Sequence, residues 1–435
     1  MIDAFFTAEL NDMNNTALAQ VSRNETQYSS LFDAKTAGRF EVVKILPLEA
    51  NSFDEMFNYA DAYGKIRLAY IDSAHKISTL QKDEKRATAI GGVVGINTAS
   101  YNGISMHIAT YISQGVEFLN PDKDKINEDF FNSDKDSFAY IAEASLNYNR
   151  EKFQAMLGRI KVETPYANSD DIRMAANTFE GAWLNIDYTG SLKTQLIFLN
   201  RWAGYDSQDD EGIGLSQDTF KNLVNDQAFG MLSASLSYEY AQESELSFWY
   251  NYIDDMSIIH YCEIIGVYKI NAESYFDYGL QVSKIYELNN SNVNGKVFGA
   301  MLIAHYNGLY FAGAYNAALV KDGDYITSGF GGGPYYTSLD EATIEAVSES
   351  SRMNSYAYRI GAGYDFSKFV DGLNIEIVYG QLYNEKETIT EEDLVLTYKV
   401  AKRWLIESVY TNYSSQNDNN NNTFDRYLLK IDYNF

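Results

Sequence analysis

Apolar and polar side chains alternate in segments of roughly ten residues that recur from Tyr63 to the C terminus. In the last segment one face carries Tyr427, Leu429, Ile431, Tyr433 and Phe435. The opposite face carries Arg426, Lys430, Asp432 and Asn434, with Leu428 as the exception. The same split recurs in residues 65–70, 184–188, 245–252, 356–365 and 373–379. A period of two predicts β-strands with one apolar and one polar face.

The connections between these segments alternate between short and long. The short ones fall at residues 100–103, 149–152, 189–191, 242–243, 271–274, 307–308 and 401–402. The longer polar stretches are residues 73–85, 114–137, 162–178, 203–228, 286–295, 321–353 and 414–423. Outer-membrane barrels join their strands by short periplasmic turns and long external loops in this way, whereas a soluble β-sandwich has no reason to.

The pattern therefore predicts an all-β chain that closes into a transmembrane antiparallel β-barrel of about 18 strands. A barrel of about 16 to 18 strands leaves an aqueous channel, so its size favours a pore. The C-terminal Phe435, with Tyr433 two positions before it, is typical of outer-membrane barrels. The alternative fold is a large soluble β-sandwich or β-helix.

Residues 1–62 lack the strand pattern and are predicted to form an N-terminal periplasmic extension, with the barrel in residues 63–435. Residues 53–62 are expected to form a short amphipathic helix, because Ser52 can cap it and Glu55 follows three positions later. We expect this helix at the periplasmic rim or in the lumen. Residues 9–37 are polar and are expected to be disordered. No signal peptide is visible, and we assume that it was removed or that the sequence starts downstream of it.

Composition supports a barrel and narrows the function. The chain has 36 Tyr and 24 Phe but only 4 Pro, which favours strands and suits aromatic girdles at two membrane interfaces. The net charge of −26 argues against nucleic acid and fits a surface or lumen that meets cations, or loops that are merely soluble. The single cysteine, Cys262, excludes a disulfide within the chain and is expected to be a strand side chain. No apolar run reaches the length of a membrane helix.

One block, residues 157–181, carries a family resemblance. Its residues are Gly158-Arg159, Thr164-Pro165, Asn168, Asp171, Arg173-Met174 and Asn177-Thr178-Phe179-Glu180-Gly181, with weaker support from residues 89–92 and Phe435. The block resembles the OprD-like family of outer-membrane porins. The resemblance implies an 18-stranded barrel whose third external loop folds inward and narrows the pore. It also implies that Asp170, Asp171 and Arg173 line the constriction, where we include Lys161, and that Arg159 lies on the pore wall.

Charges that the alternation or the resemblance places on the inner wall are Lys65, Arg67, Arg159, Lys193, Arg201, Arg359, Glu376, Lys430 and Asp432. Opposite charges across a narrow lumen create a transverse field that orients dipolar solutes and selects ions. The alternative is that these charges only keep a wide lumen wet.

Two acidic clusters offer oxygen ligands to a metal ion. Asp122, Asp124, Glu128 and Asp129 are a possible weak calcium site, although the glycine of an EF-hand loop is missing. Asp206, Asp209, Asp210 and Glu211 form the second cluster. Solvated loop charge is the alternative for both. No cofactor is otherwise predicted, and His75, His107, His260 and His305 show no zinc-ligand spacing.

The predicted function is an integral protein of the bacterial outer membrane, with no enzymatic activity. It would be a water-filled porin for passive diffusion of ions and small hydrophilic solutes, cation-preferring because of the acidic bias. Expected partners are outer-membrane lipid, lipopolysaccharide and further copies in a homotrimer. One alternative is a surface-exposed adhesin or ligand-binding barrel, resting on residues 321–353. Another is a barrel enzyme using Asp170 and Asp171, which lacks support from any phosphate-loop, dinucleotide or serine-hydrolase motif.

Overall fold

The computed structural model describes residues 49–78, 81–207, 217–401, 403–417 and 420–435. The stretch predicted to be disordered, residues 9–37, lies outside these ranges, as do Asp209, Asp210 and Glu211 of the second acidic cluster. No helix within the described ranges is long and apolar enough to cross a membrane.

A closed antiparallel barrel of 18 strands accounts for most of the described residues, which confirms the predicted fold. The strands are β1 (Asp61–Ser78), β2 (Gln81–Asn97), β3 (Ile104–Gly115), β4 (Phe138–Arg150), β5 (Phe153–Ile160), β6 (Thr178–Asp187), β7 (Leu192–Ala203), β8 (Met231–Ala241), β9 (Ser244–Ile253), β10 (Ser257–Asn271), β11 (Ser274–Glu287), β12 (Gly295–Tyr306), β13 (Leu309–Leu319), β14 (Ser355–Asp365), β15 (Leu373–Tyr383), β16 (Glu387–Val400), β17 (Trp404–Asn417) and β18 (Asn420–Asn434). Strand β18 pairs antiparallel with β1 and closes the sheet.

The two faces of the barrel differ as the alternation predicted. On β1, Ile66 and Leu68 are 47% and 42% exposed, whereas Arg67 between them is 3% exposed. The exposed, apolar face is the outer one, and the buried face lines the interior. On β18, Leu428 is buried together with Arg426 and Lys430, so the exception in the pattern is an apolar side chain on the inner face.

Two stretches predicted as long loops are strands instead. Residues 73–85 belong largely to β1 and β2, and residues 414–423 to β17 and β18, which leaves only residues 79–80 and 418–419 between the strands. The prediction failed because these strand ends are polar on both faces and so lose the alternation. Their backbone groups are still paired across the ladder. The other long connections follow β3, β5, β7, β11 and β13 at the same end of the barrel.

Helix α1 (Phe53–Asn58) lies at the opposite end, where the turns are short. Ser52 caps it by accepting a hydrogen bond from the Glu55 amide at 3.2 Å. Met56 packs against Ala50 and Ala99, and its carbonyl accepts a bond from the Ala99 amide at 2.9 Å. The predicted helix therefore forms, four residues shorter at its C-terminal end, and packs on the turn between β2 and β3.

Two connections pack against the inner face of the strands: the 161–177 segment between β5 and β6, and the 320–354 loop between β13 and β14. The segment contains a small hairpin, Glu163–Thr164 with Ala167–Asn168. The loop contains helix α2 (Ile344–Ser351), which Thr343 caps. One buried cluster joins Tyr166 of the segment with Phe330, Tyr335 and Leu339 of the loop and with inward residues of the barrel strands.

Candidate functional site

The 161–177 segment is held to strands on opposite sides of the barrel. At one side Asp171 pairs with the inward side chains of Lys65 and Arg67 on β1. At the other the Tyr166 hydroxyl and the Ser283 Oγ of β11 lie 2.6 Å apart. In a barrel of 18 strands β1 and β11 face each other across the interior. Burial raises the pKa of Tyr166 to about 12, so this hydroxyl stays protonated at neutral pH.

Asp171 belongs to a compact ionic network on the inner wall. The Arg67 Nη1 donates to the Asp171 Oδ1 at 2.8 Å, while its Nε and Nη2 donate to the two Asp432 oxygens at 2.7 Å each. Lys65 also donates to Asp171, and the Lys430 ammonium approaches the Asp171 carbonyl at 3.4 Å. Burial alone would raise the pKa of Asp171, but the charges of Arg67 and Lys65 hold it far below its usual range. This carboxylate therefore stays ionised.

Arg173 links the 161–177 segment to two other loops. Its Nε donates to the Asp129 Oδ2 and its Nη2 to the Glu341 Oε1, each at 3.0 Å. Arg426 of β18 pairs with the same Glu341 and with Asp340. Arg173 is fully buried, so these carboxylates satisfy a charge that has no access to water.

The 320–354 loop is anchored to the wall by two buried charges. The Glu391 Oε1 and Oε2 accept hydrogen bonds from the Glu341 and Ala342 amides at 2.9 and 2.7 Å. The Arg359 Nη1 donates to the Ser338 carbonyl at 3.0 Å. These hydrogen bonds hold the loop. Because Arg359 and Glu391 are both fully buried, neither charge faces solvent.

Main-chain bonds join the 320–354 loop to the 161–177 segment. The Asn168 amide donates to the Phe330 carbonyl at 2.9 Å, and the Phe330 amide to the Tyr166 carbonyl at 3.0 Å. Gly329 has a φ of +81°, and a Cβ there would lie 2.2 Å from the Tyr166 carbonyl oxygen. Only glycine permits this approach. The two connections thus form one layer inside the barrel.

Asp170 and Asp171 have different surroundings, since Asp171 faces β1 and Asp170 faces the 320–354 loop. The Asp170 Oδ2 lies 2.8 Å from where a Gly332 Cβ would stand, next to the 320–354 loop. Burial, followed by the charge of Asp170, raises the pKa of Glu163 well above its usual value. Lys161 pairs with Glu143 of β4 at 3.3 Å and is partly exposed. The four residues predicted at the constriction thus lie in one segment but in separate ionic groups.

The prediction that Arg159 and Arg201 lie on the inner wall is wrong, because both side chains lie on the outer face of the barrel. The cross-strand row Ile108, Ala144, Arg159, Glu180 and Arg201 shares one side of the sheet, and Ile108 is exposed. Arg159 and Arg201 pair with Glu180 at 3.0 and 3.4 Å. For Arg201 the reason is a β-bulge beside Gly181, where the register slips by one residue and the faces exchange.

The remaining predicted wall residues do face inward. Lys65, Arg67, Lys430 and Asp432 join the Asp171 network. Glu376 is 1% exposed and accepts a bond from the Tyr310 hydroxyl at 3.1 Å. Lys193 pairs in register with buried Ser237 near the short turns, far from the 161–177 segment.

The predicted calcium site does not assemble. Asp122 and Asp124 are exposed, Glu128 lies 3.8 Å from the Lys135 ammonium, and Asp129 pairs with Arg173. In the part of the chain that the structure describes, no group of three or more His, Cys, Asp or Glu could hold a metal ion. Glu128 and Asp129 are thus paired with cations, and the four carboxylates do not converge.

Sequence reasoning missed the inner role of the 320–354 loop and the residues that hold it: Asp340, Glu341, Glu391 and Arg426. The one available signal was the run Gly331-Gly332-Gly333-Pro334-Tyr335-Tyr336, which is too apolar and too glycine-rich for a solvated loop. Glu391 carries no such signal, because the residues next to it on the strand are also polar and the alternation of apolar and polar faces is lost there.

Comparisons with known proteins agree with this architecture. The model of the outer membrane porin, OprD family, matches residues 129–435. OpdQ of Pseudomonas aeruginosa superposes with a TM-score of 0.68 at 15% identity, covering 88% of this chain and 99% of its own. OccAB2 of Acinetobacter baumannii gives 0.71 at 16% identity, over 88% and 99%. A BenF-like porin of Pseudomonas fluorescens gives 0.71 at 13% identity, over 86% and 98%. At these identities the structures show the fold alone, and no curated protein sequence matches.

Proposed function

Because the chain belongs to the OprD family of outer membrane porins, integral channels for small solutes, we propose that it passes ions and small hydrophilic solutes by passive diffusion, with a preference for cations. We further propose that the 161–177 segment and the 320–354 loop together form the constriction. The observation that carries this proposal is the layer of loop residues fixed between opposite walls of the barrel.

The charges on the inner face support the cation preference. Buried carboxylates on the described strands are Glu143, Glu263, Glu376, Glu391, Asp393 and Asp432, against the buried bases Arg67, Arg359, Arg426 and Lys430. Partly exposed carboxylates at or beside the proposed constriction are Asp129, Asp171 and Glu341, with 21–26% of each side chain exposed. The partly exposed cations there are Lys65 and Lys161, at 20% and 35%. An acidic excess in a low-dielectric passage raises the local concentration of cations.

Fixed pairs of oppositely charged side chains favour a passage that selects its solutes over one in which the charges only keep a wide lumen wet. Arg67 with Asp171, and Arg173 with Asp129 and Glu341, place both signs within the same layer. Since each pair is anchored by buried partners, the field across the passage is preorganised and does not depend on mobile side chains.

The test is the reversal potential of purified protein in a planar bilayer under a salt gradient. We expect conductance steps and a potential of the sign that favours cations. Asp171→Asn removes a carboxylate between Lys65 and Arg67, so the potential should move towards zero or change sign. Asp322→Asn, an exposed position of the 320–354 loop, is the matched control and should leave it unchanged. A channel that is anion-selective in the wild type would overturn the cation preference.

The adhesin alternative rests on residues 321–353 reaching into solvent. Tyr335, Tyr336, Leu339, Ala342 and Ile344 of this stretch are almost completely buried, which favours a role inside the barrel. Deleting the loop should then raise the single-channel conductance. A deletion that removes binding to cells and leaves conductance intact would favour the adhesin.

A further inference from the structure

A cavity of about 400 Å³ lies on the inner wall at the end of the barrel where the turns are short. It is lined by inward residues of β11 to β15 and by the turns at residues 272–273 and 307–308. None of the residues predicted for the pore from the sequence lines it. It stands apart from the proposed constriction, on the path of a solute that has already passed the loops.

Three aromatic rings on adjacent strands form one side of the cavity. Tyr275 of β11 stacks on His305 of β12, with ring centroids 4.1 Å apart. Tyr310 of β13 follows, with its centroid 5.7 Å from that of His305. Ring faces of this kind attract the delocalised charge of a planar cation.

Three carboxylates, Glu273, Asp277 and Asp365, stand among the other lining residues. The Asp277 Oδ2 lies 2.9 Å from the His305 Nε2, and more than a quarter of the Asp277 side chain remains exposed. Asp365 lines the cavity from β14, and Glu376 lies behind Tyr310 and accepts its hydroxyl. Lys368, at the rim, is engaged by Asn307 and Glu273. The cavity therefore combines aromatic surface with an acidic wall.

We propose that this cavity is a binding subsite for small organic cations, of the guanidinium or alkylammonium class, at the inner end of the channel. The inference rests on the proposed function and deepens its cation preference. A guanidinium ion can donate two parallel hydrogen bonds to Asp277 while its plane lies against an aromatic ring. A small inorganic ion must give up tightly held water to reach the rings, whereas a guanidinium is weakly hydrated, so the subsite favours organic cations over potassium.

Isothermal titration of the detergent-solubilised protein with L-argininamide tests the subsite without requiring conduction. Asp277→Asn keeps the size of the side chain and removes its charge, so binding should weaken about tenfold. Tyr275→Leu removes one ring and keeps the carboxylates, and it should also weaken binding. Glu239→Gln is the matched control, because Glu239 follows the inward residues of β8 near the same end but lies outside the cavity.

Bilayer recording separates this inference from the proposed function. Binding that depends on Asp277 and Tyr275 supports the subsite whether or not the protein conducts, and a protein without conductance steps overturns the channel. The subsite is overturned if L-argininamide does not bind, or if Asp277→Asn and Tyr275→Leu bind it as the wild type does. An equal loss in Glu239→Gln overturns it too, because general lumen charge then attracts the probe.

Discussion

Replacing Glu391 by glutamine should loosen the 320–354 loop from the barrel wall. The carboxylate accepts the Glu341 and Ala342 amides at 2.9 and 2.7 Å and is fully buried. A hydrogen bond to a charged group contributes about 1.5–3 kcal/mol. The glutamine oxygen can still accept one amide, but its own NH₂ group then faces the other.

The loss is one charge-assisted bond together with one unsatisfied N–H, or about 3 kcal/mol. Since every 1.4 kcal/mol is a factor of about ten, the detached fraction of the loop should rise on the order of a hundredfold. Single-channel recording of Glu391→Gln should show a larger conductance level that is rare in the wild type. Limited trypsin digestion should cut faster at Lys321, near the start of the loop.

Glu392→Gln is the matched control for this experiment. Glu392 is the next residue on β16, has the same chemistry and is exposed on the outer face. It should leave conductance and digestion unchanged. If Glu391→Gln behaved as the wild type, or if Glu392→Gln had an equal effect, the two amide bonds would not be what holds the loop.

Two further outcomes follow from the same layer. Gly329→Ala places a Cβ 2.2 Å from the Tyr166 carbonyl oxygen at a φ of +81°. It should destabilise the layer by about 1–3 kcal/mol, seen as a higher conductance. Gly323→Ala has a similar φ of +94° but open space around its Cβ, so it shares the backbone strain without the clash and should raise the conductance clearly less. Glu163→Gln should raise the thermal midpoint more at high than at low pH. The folded pKa of Glu163 is raised, so the ionised carboxyl costs stability only as pH rises above its unfolded value of about 4.3; equal gains at both pH values would contradict this.

The strands could be predicted from the sequence because alternate side chains face lipid, which favours apolar residues, and the barrel interior, which favours polar ones. The terminal strand illustrates this, since its two predicted faces, including the misfit Leu428, are those of the structure. The alternation fails where both faces meet water, as at residues 73–85, and where a bulge exchanges the faces, as before Arg201.

The interior layer was only partly predictable. Asp171 and Arg173 stand in a block that resembles a known family, and the structure gives both of them buried partners. Those partners are 44 to 168 residues away in sequence, as for Arg173 with Asp129 and Glu341. Contacts of that range leave no local periodicity. For Arg159, the sequence already held a contrary signal. Leu157, two positions earlier on the same face of the strand, is apolar and is exposed in the structure, which places this face on the outside and not on the pore wall that the resemblance implied.

The pairing of the first strand with the last has a consequence for biogenesis. Arg67 and Asp432, bonded across that seam, are 365 residues apart, and the Gly64 and Phe435 backbones exchange two bonds of 3.0 Å. Until the final residues are present, β1 and the latest strand made expose unsatisfied edges that can recruit other chains. Closure of such high contact order is slow, so the polypeptide is prone to aggregate until its ends meet.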